Sequence, residues 1–377
     1  MKKIALFVIS AIFLSGTMIS AETAIHQLDQ ISAYSAILMN ADTGTVVFEK
    51  SAYQERAMAS TTKIMSTLLT LEAGNLDAEF KVDDYAIRIE GTSMGLLPGD
   101  IVTRRALCYG MMLPSGNDAA NAAAVSVAGN IGAFVDMMNN RAAEIGMNNT
   151  HFANPSGLDA NRHYSTAFDM AKLIIEALKN SEFGTICGTK NIQLKYGNPP
   201  YLRWLSNNNK LLDMYDGCIG GKTGYTIDAR RCLITAAQRE GVTLIAVTLN
   251  AGDDWNDHIK MYDYGYAMYD RKIIDYDVSK YSVDVVGGEK DSVPVELAEP
   301  LYVNLLESEM AMVEIKVSPL PFLYGGFEKG EFAGNLVFYY NGSQIKSAAL
   351  LTVESCKIKK EKLNFFEKCL QYVINLF

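Results

Sequence analysis

The sequence has no excess of positive charge, and this absence excludes one class of partner. Its 377 residues include 34 Lys and Arg against 43 Asp and Glu, which gives a formal net charge of −9. A protein that binds nucleic acid needs an electropositive surface to displace the counterions of the phosphates. We therefore expect no nucleic-acid partner.

The sequence also lacks the usual metal and redox motifs. None of its six cysteines lies in a CxxC pair, and its four histidines form no HExxH pattern, so zinc and thioredoxin chemistry are not indicated. The segment "DDWNDH", residues 253–258, could be drawn as a metal site but is more typical of the polar start of a helix. We expect no metal and no cofactor.

No apolar run near the N-terminus reaches the roughly 20 residues that a membrane-spanning helix needs. Lys2 and Lys3 precede an apolar stretch of residues 4–14, and Ile19 and Ala21 then occupy the −3 and −1 positions of a cleavage site. This is the layout of a secretory signal. Residues 1–21 are predicted to be a cleaved signal peptide, and the protein is expected to be exported.

Hydrophobic residues make up 49% of the chain and charged residues 20%, which is typical of a folded protein. The length favours two domains.

Helical and strand-like patterns follow one another along the chain. Two strands flank residues 40–44, and helices follow, one of them between Ser60 and Gly74. The stretch 102–121 is helical but interrupted by "PSGND", and Thr166 and Asp169 are placed like a capping box.

From residue 218 the period becomes strand-like, with three predicted strands, and a helix follows at about residues 255–270. An α+β fold satisfies this order, with an antiparallel sheet built from both ends of the domain and a helical cluster inserted between them. Beyond residue 275 short alternating strands, with Asn341-Gly342 as a hairpin turn, predict a small all-β domain.

Three short motifs occur in order along the chain. Ser60-x-x-Lys63 stands at a predicted helix start, Ser115-Gly116-Asn117 in the helix break, and Lys222-Thr223-Gly224 on a predicted strand. Each is weak alone, since a Ser that opens a helix is most often only an N-cap. Together they match the signature of penicillin-binding proteins and class A β-lactamases.

The chain holds a second Ser-x-x-Lys, at Ser343 and Lys346. In a strand, positions i and i+3 face opposite sides of the sheet, so this pair cannot cooperate. On a helix Ser60 and Lys63 share a face.

The residue types of the three motifs suit acyl transfer. A serine is a poor nucleophile until a base takes its proton, and Lys63 can do so only if burial and a nearby positive charge lower its pKa. Lys222 could supply that charge. Ser60 is the predicted nucleophile and Lys63 the base.

The neighbouring residues have predicted roles as well. We expect Ser115 to shuttle a proton to the leaving amine and Asn117 to hold the substrate backbone and orient Lys63. Lys222 and Thr223 suit a terminal carboxylate, and Gly224, with the paired glycines before the motif, would let substrate approach the strand edge. The backbone N–H groups of Ser60 and Tyr225 would form the oxyanion hole.

From about Ala33 to Asp270 the chain resembles the low-molecular-mass penicillin-binding proteins of the D-alanyl-D-alanine carboxypeptidase family, serine peptidase family S11. The resemblance rests on "ASTTKIM", "LPSGNDAAN", "GMNNTHFANPSGLDANRHYSTAFDMA", "NNNKLL" and "GGKTGYT". It implies a β-lactamase/transpeptidase-like domain that removes the terminal D-alanine from peptidoglycan stem pentapeptides and is acylated by β-lactams. "GGKTGYTIDARRCLITAA" and "DDWNDHIKM" further resemble the sporulation-type branch of Gram-positive spore formers.

Two residues depart from the family pattern. Met58 stands where many members have proline, and Arg230 stands where most have glycine. Neither change removes a catalytic group, but Arg230 could alter substrate fit.

Alternative functions remain. A D,D-endopeptidase or transpeptidase would use the same acylation site. A β-lactamase needs a Glu-x-x-Leu-Asn element, and the nearest stretch, "EALKN" at Glu176–Asn180, has Lys179 in place of Leu and is typical of a helix surface. A non-catalytic wall-binding protein would lack a catalytic residue, and none is missing.

The predicted domains are a signal peptide at residues 1–21, a penicillin-binding peptidase domain at 22–274, an all-β domain at 275–355 and an amphipathic helix at 356–377. Apolar residues recur at helical spacing in the last segment, and lysines concentrate at its N-terminal side. We expect this helix to lie on the membrane surface, which places the enzyme at the outer face of the cytoplasmic membrane or in the cell wall.

Overall fold

A computed structural model describes residue 28, residues 30–274 and residues 276–359. The predicted signal peptide therefore lies outside the described residues, as does most of the predicted C-terminal helix. The chain divides into two compact units, and the predicted domain boundaries stay predictions. Within the described part, the first unit holds the residues up to 39, 46–238 and 244–268, and the second holds 40–45, 239–243 and the residues from 269 onward.

The first unit contains one five-stranded sheet and two short hairpins. The sheet has the order β2-β1-β9-β8-β7, while β3 pairs with β4 and β5 with β6. The strands are β1 Ser35–Asn40, β2 Val46–Lys50, β3 Glu79–Lys81, β4 Ile101–Thr103, β5 Asn191–Gly197, β6 Pro200–Ser206, β7 Cys218–Thr226, β8 Arg230–Arg239 and β9 Val242–Ala251.

The helices of the first unit fall between β2 and β7, except for one that follows β9. They are α1 Lys63–Glu72, α2 Arg104–Met112, α3 Asn117–Ala128, α4 Ile131–Ile145, α5 Ala167–Leu178, α6 Ser181–Gly188, α7 Leu211–Met214 and α8 Asp254–Met268. The predicted order of strands, helices and returning strands is therefore confirmed, and with it the antiparallel sheet with an inserted helical cluster.

The sheet is covered on both faces, which explains the continuous apolar run of its inner strands. Nine of the ten residues of β9 are buried, as expected for a strand with no solvent-facing side. Helix α8 packs closely on the sheet, because a Cβ at Gly265 would meet the side chains of Leu38 and Leu244 at 2.6 and 2.7 Å.

Helix α1 is the central helix of the inserted cluster. Nine of its ten residues, Lys63 to Leu71, are buried, so it is enclosed by the other elements rather than facing water on one side. Gly74, in the left-handed region at φ +67°, ends it as predicted.

The second unit is mainly β-structure. A six-stranded sheet has the order β14-β16-β17-β12-β11-β15, and β10 pairs with β13. The hairpin turn predicted at Asn341-Gly342 joins β16 to β17, with both residues at positive φ. The elements are β10 Asp270–Ile274, β11 Ser282–Val286, β12 Ser292–Leu297, β13 Leu301–Leu305, α9 Glu307–Met310, β14 Val313–Pro319, β15 Leu323–Tyr324, β16 Phe332–Tyr340 and β17 Ser343–Thr352.

Residues 356–359, predicted to open the C-terminal helix, are extended and belong to the second unit. Cys356 bridges to Phe327 and Ile358 to Gly288, and the Lys359 N–H donates to the Gly287 carbonyl. Any helix in the terminal segment therefore begins after Lys359.

One local prediction differs from the structure, and one hairpin was not predicted. Thr166 caps α5 by accepting from the Asp169 N–H, but the Asp169 carboxylate accepts from Asn149 N and Thr150 Oγ1 instead of completing a capping box. The hairpin β5–β6 was not predicted, although the alternating apolar residues on both sides of Asn198-Pro199 are a signal for it.

Candidate active site

Ser60 and Lys63 come together at the start of the central helix. Ser60 lies in a 3₁₀ turn, Ala59–Thr62, and Lys63 is the first residue of α1. One turn of helix brings Lys63 Nζ to 2.9 Å from Ser60 Oγ. The predicted nucleophile and base are therefore within hydrogen-bond reach, which is the geometry that nucleophile activation requires.

The Lys63 amine has two further oxygen partners. Its Nζ donates to Asn117 Oδ1 at 2.7 Å and to the Ser156 carbonyl at 2.6 Å. A neutral amine has two N–H bonds and one lone pair. If the two N–H bonds go to these fixed oxygens, the lone pair is left for the Ser60 hydroxyl, as a general base requires.

The surroundings of Lys63 favour that neutral form. The side chain is fully buried, and this desolvation lowers its pKa well below the usual 10.5. The positive charge of Lys222 lowers it further, while Asp118 acts in the opposite direction. The sequence prediction that burial and a second lysine would act on Lys63 agrees with this arrangement.

Lys222 lies on β7 and is itself buried, with 1% of its surface exposed. Its Nζ donates to the Thr223 carbonyl at 2.8 Å, and desolvation lowers its pKa to about 7. The side chain is thus directed into the protein, where it acts on Lys63, and it does not line the open cavity.

The motif Ser115-Gly116-Asn117 occupies the break between α2 and α3. Ser115 has φ +67°, which is strained for a residue other than glycine and is a conformation that occurs at functional sites. The preceding segment holds it in place, since Thr92 Oγ1 donates to the Ser115 carbonyl and Asn117 Nδ2 donates to the Glu90 carbonyl. Asn117 therefore connects Lys63 to this segment.

Two glycines allow close backbone approach around Ser60. A Cβ at Gly224 would lie 3.0 Å from Ser60 N, so β7 runs directly beside the Ser60 backbone. A Cβ at Gly157 would lie 2.0 Å from the Ala59 carbonyl oxygen. Ala59 has φ +48°, so both neighbours confine a strained backbone just before Ser60.

A cavity of about 420 Å³ opens above these residues. Six of the eight predicted site residues line it: Ser60, Ser115, Asn117, Thr223, Gly224 and Tyr225. The predicted site lacks other residues that line the cavity, among them Asn208, Arg231, Asp254 and Trp255. Two adjacent arginines in a strand carry no signal that one of them turns toward a cavity, so Arg231 could not have been chosen from the sequence.

Two glycines that were expected to admit substrate have another role. A Cβ at Gly220 would lie 2.4 Å from Cys187 Sγ, and one at Gly221 would lie 2.2 Å from the Ile234 carbonyl oxygen. Both positions make room for the packing of β7 against α6 and β8, and neither residue lines the cavity.

A model of the S11 peptidase family, described as D-alanyl-D-alanine carboxypeptidase, matches residues 21–253, more than half of the chain. The chain belongs to this family. It is accordingly a serine-type D-alanyl-D-alanine carboxypeptidase of the penicillin-binding class that acts on peptidoglycan, as the sequence predicted.

Individual relatives extend the match. The D-alanyl-D-alanine carboxypeptidase DacF of Bacillus subtilis is 32% identical over 335 residues, covering 86% of this chain and 86% of its own. Among solved structures, the Streptomyces K15 DD-transpeptidase is 36% identical with a TM-score of 0.60, covering 63% of this chain and 98% of its own. The carboxypeptidase DacD from Francisella tularensis is 26% identical with a TM-score of 0.62, covering 88% and 95%.

Two sequence stretches resemble catalytic motifs, the second Ser-x-x-Lys and the "EALKN" stretch, and both lie in regular secondary structure. Ser343 and Lys346 lie on β17, as predicted, opposite Tyr340 and Phe338. Glu176 lies on α5 and pairs with Arg141 and Lys179, so the helix-surface interpretation is confirmed.

The segment "DDWNDH", with Asp254 and His258, forms the start of α8, as its polar character predicts. His258 is fully buried between Thr235 Oγ1 and Thr248 Oγ1, at 2.7 and 3.0 Å from its ring nitrogens. The Asp257 carboxylate accepts from Ser32 N and Oγ and from Ala33 N. Both side chains are thus engaged in holding the fold.

Proposed function

We propose that Ser60 is the residue that is acylated and that Lys63 is its general base. The observation that carries this proposal is the Lys63 amine, 2.9 Å from Ser60 Oγ and hydrogen-bonded to two other oxygens. Its lowered pKa supports the same role, because a base must be neutral to accept the serine proton.

The reaction proceeds in two halves. Ser60 Oγ attacks the carbonyl carbon between the two D-alanines of a stem peptide, and its proton passes to Lys63. Ser115 relays a proton to the departing nitrogen as the C–N bond breaks, and D-alanine leaves. The Ser60 and Tyr225 N–H groups stabilise the oxyanion. Water then hydrolyses the ester, which restores the Ser60 hydroxyl and releases the shortened peptide.

The test uses a pentapeptide that ends in D-Ala-D-Ala. The purified enzyme should release D-alanine stoichiometrically with the tetrapeptide, and the Ser60→Ala variant should release none. Release by the Ser60→Ala variant at the wild-type rate would contradict the proposal. Ser343→Ala is the matched control, because it removes the other Ser-x-x-Lys serine and should leave the rate unchanged.

A transpeptidase or endopeptidase activity is the second candidate. Two relatives favour it. One is the Streptomyces K15 DD-transpeptidase, and the other is a D-alanyl-D-alanine endopeptidase from Escherichia coli, which is 29% identical over 223 residues. A cross-linked peptide dimer formed in the same incubation would indicate the first activity, and cleavage of a preformed dimer the second. A β-lactamase is not favoured, because Glu176 is engaged in ion pairs on the surface of α5.

We further propose that the enzyme is exported and binds the outer face of the cytoplasmic membrane through its C-terminal segment. The support is the N-terminal signal pattern and the amphipathic, lysine-flanked pattern of residues 360–377. No helix in the described ranges has the length and apolar character to cross a bilayer.

Truncation after Lys359 tests this attachment, because it keeps the backbone pairing of residues 356–359. The shortened protein should no longer sediment with anionic vesicles and should keep its penicillin acylation rate. Sedimentation equal to that of the full chain would contradict the attachment.

A further inference from the structure

The sequence predicts that Lys222 and Thr223 bind the terminal carboxylate of the substrate. A carboxypeptidase acts at a free C-terminus, so its substrate carries a carboxylate next to the bond that is cut. The presence of this carboxylate follows from the function proposed above, and the inference rests on that function. Lys222 fits the assignment poorly, since it is 1% exposed and its Nζ is hydrogen-bonded to the Thr223 carbonyl.

Arg231 is the only cationic side chain among the described residues that line the cavity. It lies on β8 directly opposite Tyr225 of β7. Residues opposite each other in an antiparallel pair point to the same face, and so do residues two apart in one strand. Arg231, Tyr225 and Thr223 therefore share one face, at the strand that borders Ser60.

The guanidinium of Arg231 is held by its neighbours. Its Nε and Nη2 both donate to Asp254 Oδ1, and the Asp254 side chain is only 3% exposed. Its central carbon lies 5.6 Å from the centroid of the Trp255 ring. A guanidinium fixed along one edge loses little further freedom on binding a ligand, which favours recognition of a carboxylate.

The other edge of the guanidinium is available. The Arg231 side chain is 41% exposed, and its Nη1 has no hydrogen-bond partner within residues 30–274 and 276–359. The Thr223 hydroxyl, on the same face, also has none there. Both donors line the same cavity, so one carboxylate bound there can accept from both.

We propose that Arg231, positioned by Asp254 and Trp255, binds the C-terminal carboxylate of the substrate together with the Thr223 hydroxyl. In this arrangement Lys222 does not contact the carboxylate and acts only through Lys63. Arg231 is then the specificity residue that distinguishes a free C-terminus from a blocked one.

The experiment compares two substrates, a peptide ending in D-Ala-D-Ala and the same peptide with a C-terminal amide. Arg231→Gln should lower kcat/KM for the free acid about 10- to 100-fold, the effect of losing a charge-assisted hydrogen bond. It should change kcat/KM for the amide little, so the preference for the acid disappears. Arg231→Lys should restore part of it, because the charge returns without the fork of donors.

Arg230→Gln is the matched control, since it removes the adjacent arginine, which does not line the cavity, and should leave the preference intact. The inference fails if Arg231→Gln keeps the wild-type ratio of the two substrates. That failure is distinct from failure of the proposed function, in which the wild-type enzyme itself would release no D-alanine. A circular dichroism melt of each variant confirms that it is folded.

Discussion

At the scale of single residues, the reactivity attributed to Ser60 depends on the charge of one amine. Burial is the largest cause of the lowered Lys63 pKa, and the charge of Lys222 lowers it further. An unperturbed lysine with a pKa near 10.5 would be almost entirely protonated at neutral pH and could not act as a base. The two lysines therefore form one electrostatic unit, although only Lys63 is hydrogen-bonded to Ser60.

The pH dependence of acylation tests this unit. The rate of penicillin acylation should rise with pH as Lys63 loses its proton, in a limb well below pH 10.5. A neighbouring positive charge lowers the pKa of an amine, so removing it raises that pKa. Lys222→Gln should therefore shift the limb to higher pH, as well as lowering the maximal rate. A limb that stays at the wild-type pH would contradict the coupling.

The backbone at Arg230 has a conformation that favours glycine. Its φ is +57°, in the left-handed region that costs a residue with a Cβ about 1–2 kcal/mol. Arg230→Gly should raise the free energy of unfolding by about 1 kcal/mol or less, since glycine also adds entropy to the unfolded chain.

Urea denaturation measures this change. As a control, Gln193→Gly places glycine in strand β5, where Gln193 does not have a positive φ, and should lower the stability. If Arg230→Gly lowers the free energy of unfolding as much as Gln193→Gly does, the backbone at Arg230 is not strained.

At the scale of elements, the loop around Gly157 packs against the turn that carries Ser60. Gly157 has φ +88°, and a Cβ there would overlap the Ala59 carbonyl group. Gly157→Ala must therefore displace either the loop or the turn that carries Ser60. Displacements of about 1 Å can lower reaction rates about 10²-fold, so we expect a loss of that order in penicillin acylation.

Gly129→Ala is the matched control for this prediction. Gly129 also has positive φ, at +80°, but a Cβ there would meet nothing within 4 Å. It should cost about 1–2 kcal/mol of stability through backbone strain and leave acylation unchanged. Equal acylation by the two folded variants would show that the contact at Ala59 does not position Ser60.

The helix or strand that carries each motif could be predicted, because the residues around the motif indicate the local secondary structure. Ser60, Asn117 and Lys222 stand at a helix start, a helix break and a strand, and each context follows from local periodicity. The sequence could not identify the Ser156 carbonyl as a partner of Lys63, because every residue has a carbonyl. Nor could it separate Arg231 from Arg230, since the register of β8 against β7 decides which one faces the cavity.

At the scale of the whole molecule, two buried neutral histidines make the fold sensitive to acid. Burial lowers the pKa of His163 to about 4 and that of His258 to about 3. Both are near 6.5 in an unfolded chain, so their contribution to stability is complete above pH 6.5 and is lost as the pH falls toward 4. In that window the unfolded chain binds up to two more protons than the folded one, a slope of up to about 2.7 kcal/mol per pH unit.

His258→Gln separates this contribution from that of the carboxylates. The variant should be less stable at pH 7, but between pH 6 and 4.5 its free energy of unfolding should fall less steeply than that of the wild type. Urea denaturation at several pH values measures both slopes. Parallel slopes would show that His258 does not contribute to the acid sensitivity.

The central claim is that Ser60 forms the acyl-enzyme with Lys63 as its base. Mass spectrometry of the protein after incubation with benzylpenicillin, followed by peptide mapping, tests it most directly. We predict one added penicilloyl group per chain, on the peptide that contains Ser60. We also predict no adduct in Ser60→Ala and an adduct that forms about 10²–10⁴-fold more slowly in Lys63→Ala. An adduct on another serine, or an undiminished rate in Lys63→Ala, would contradict the account.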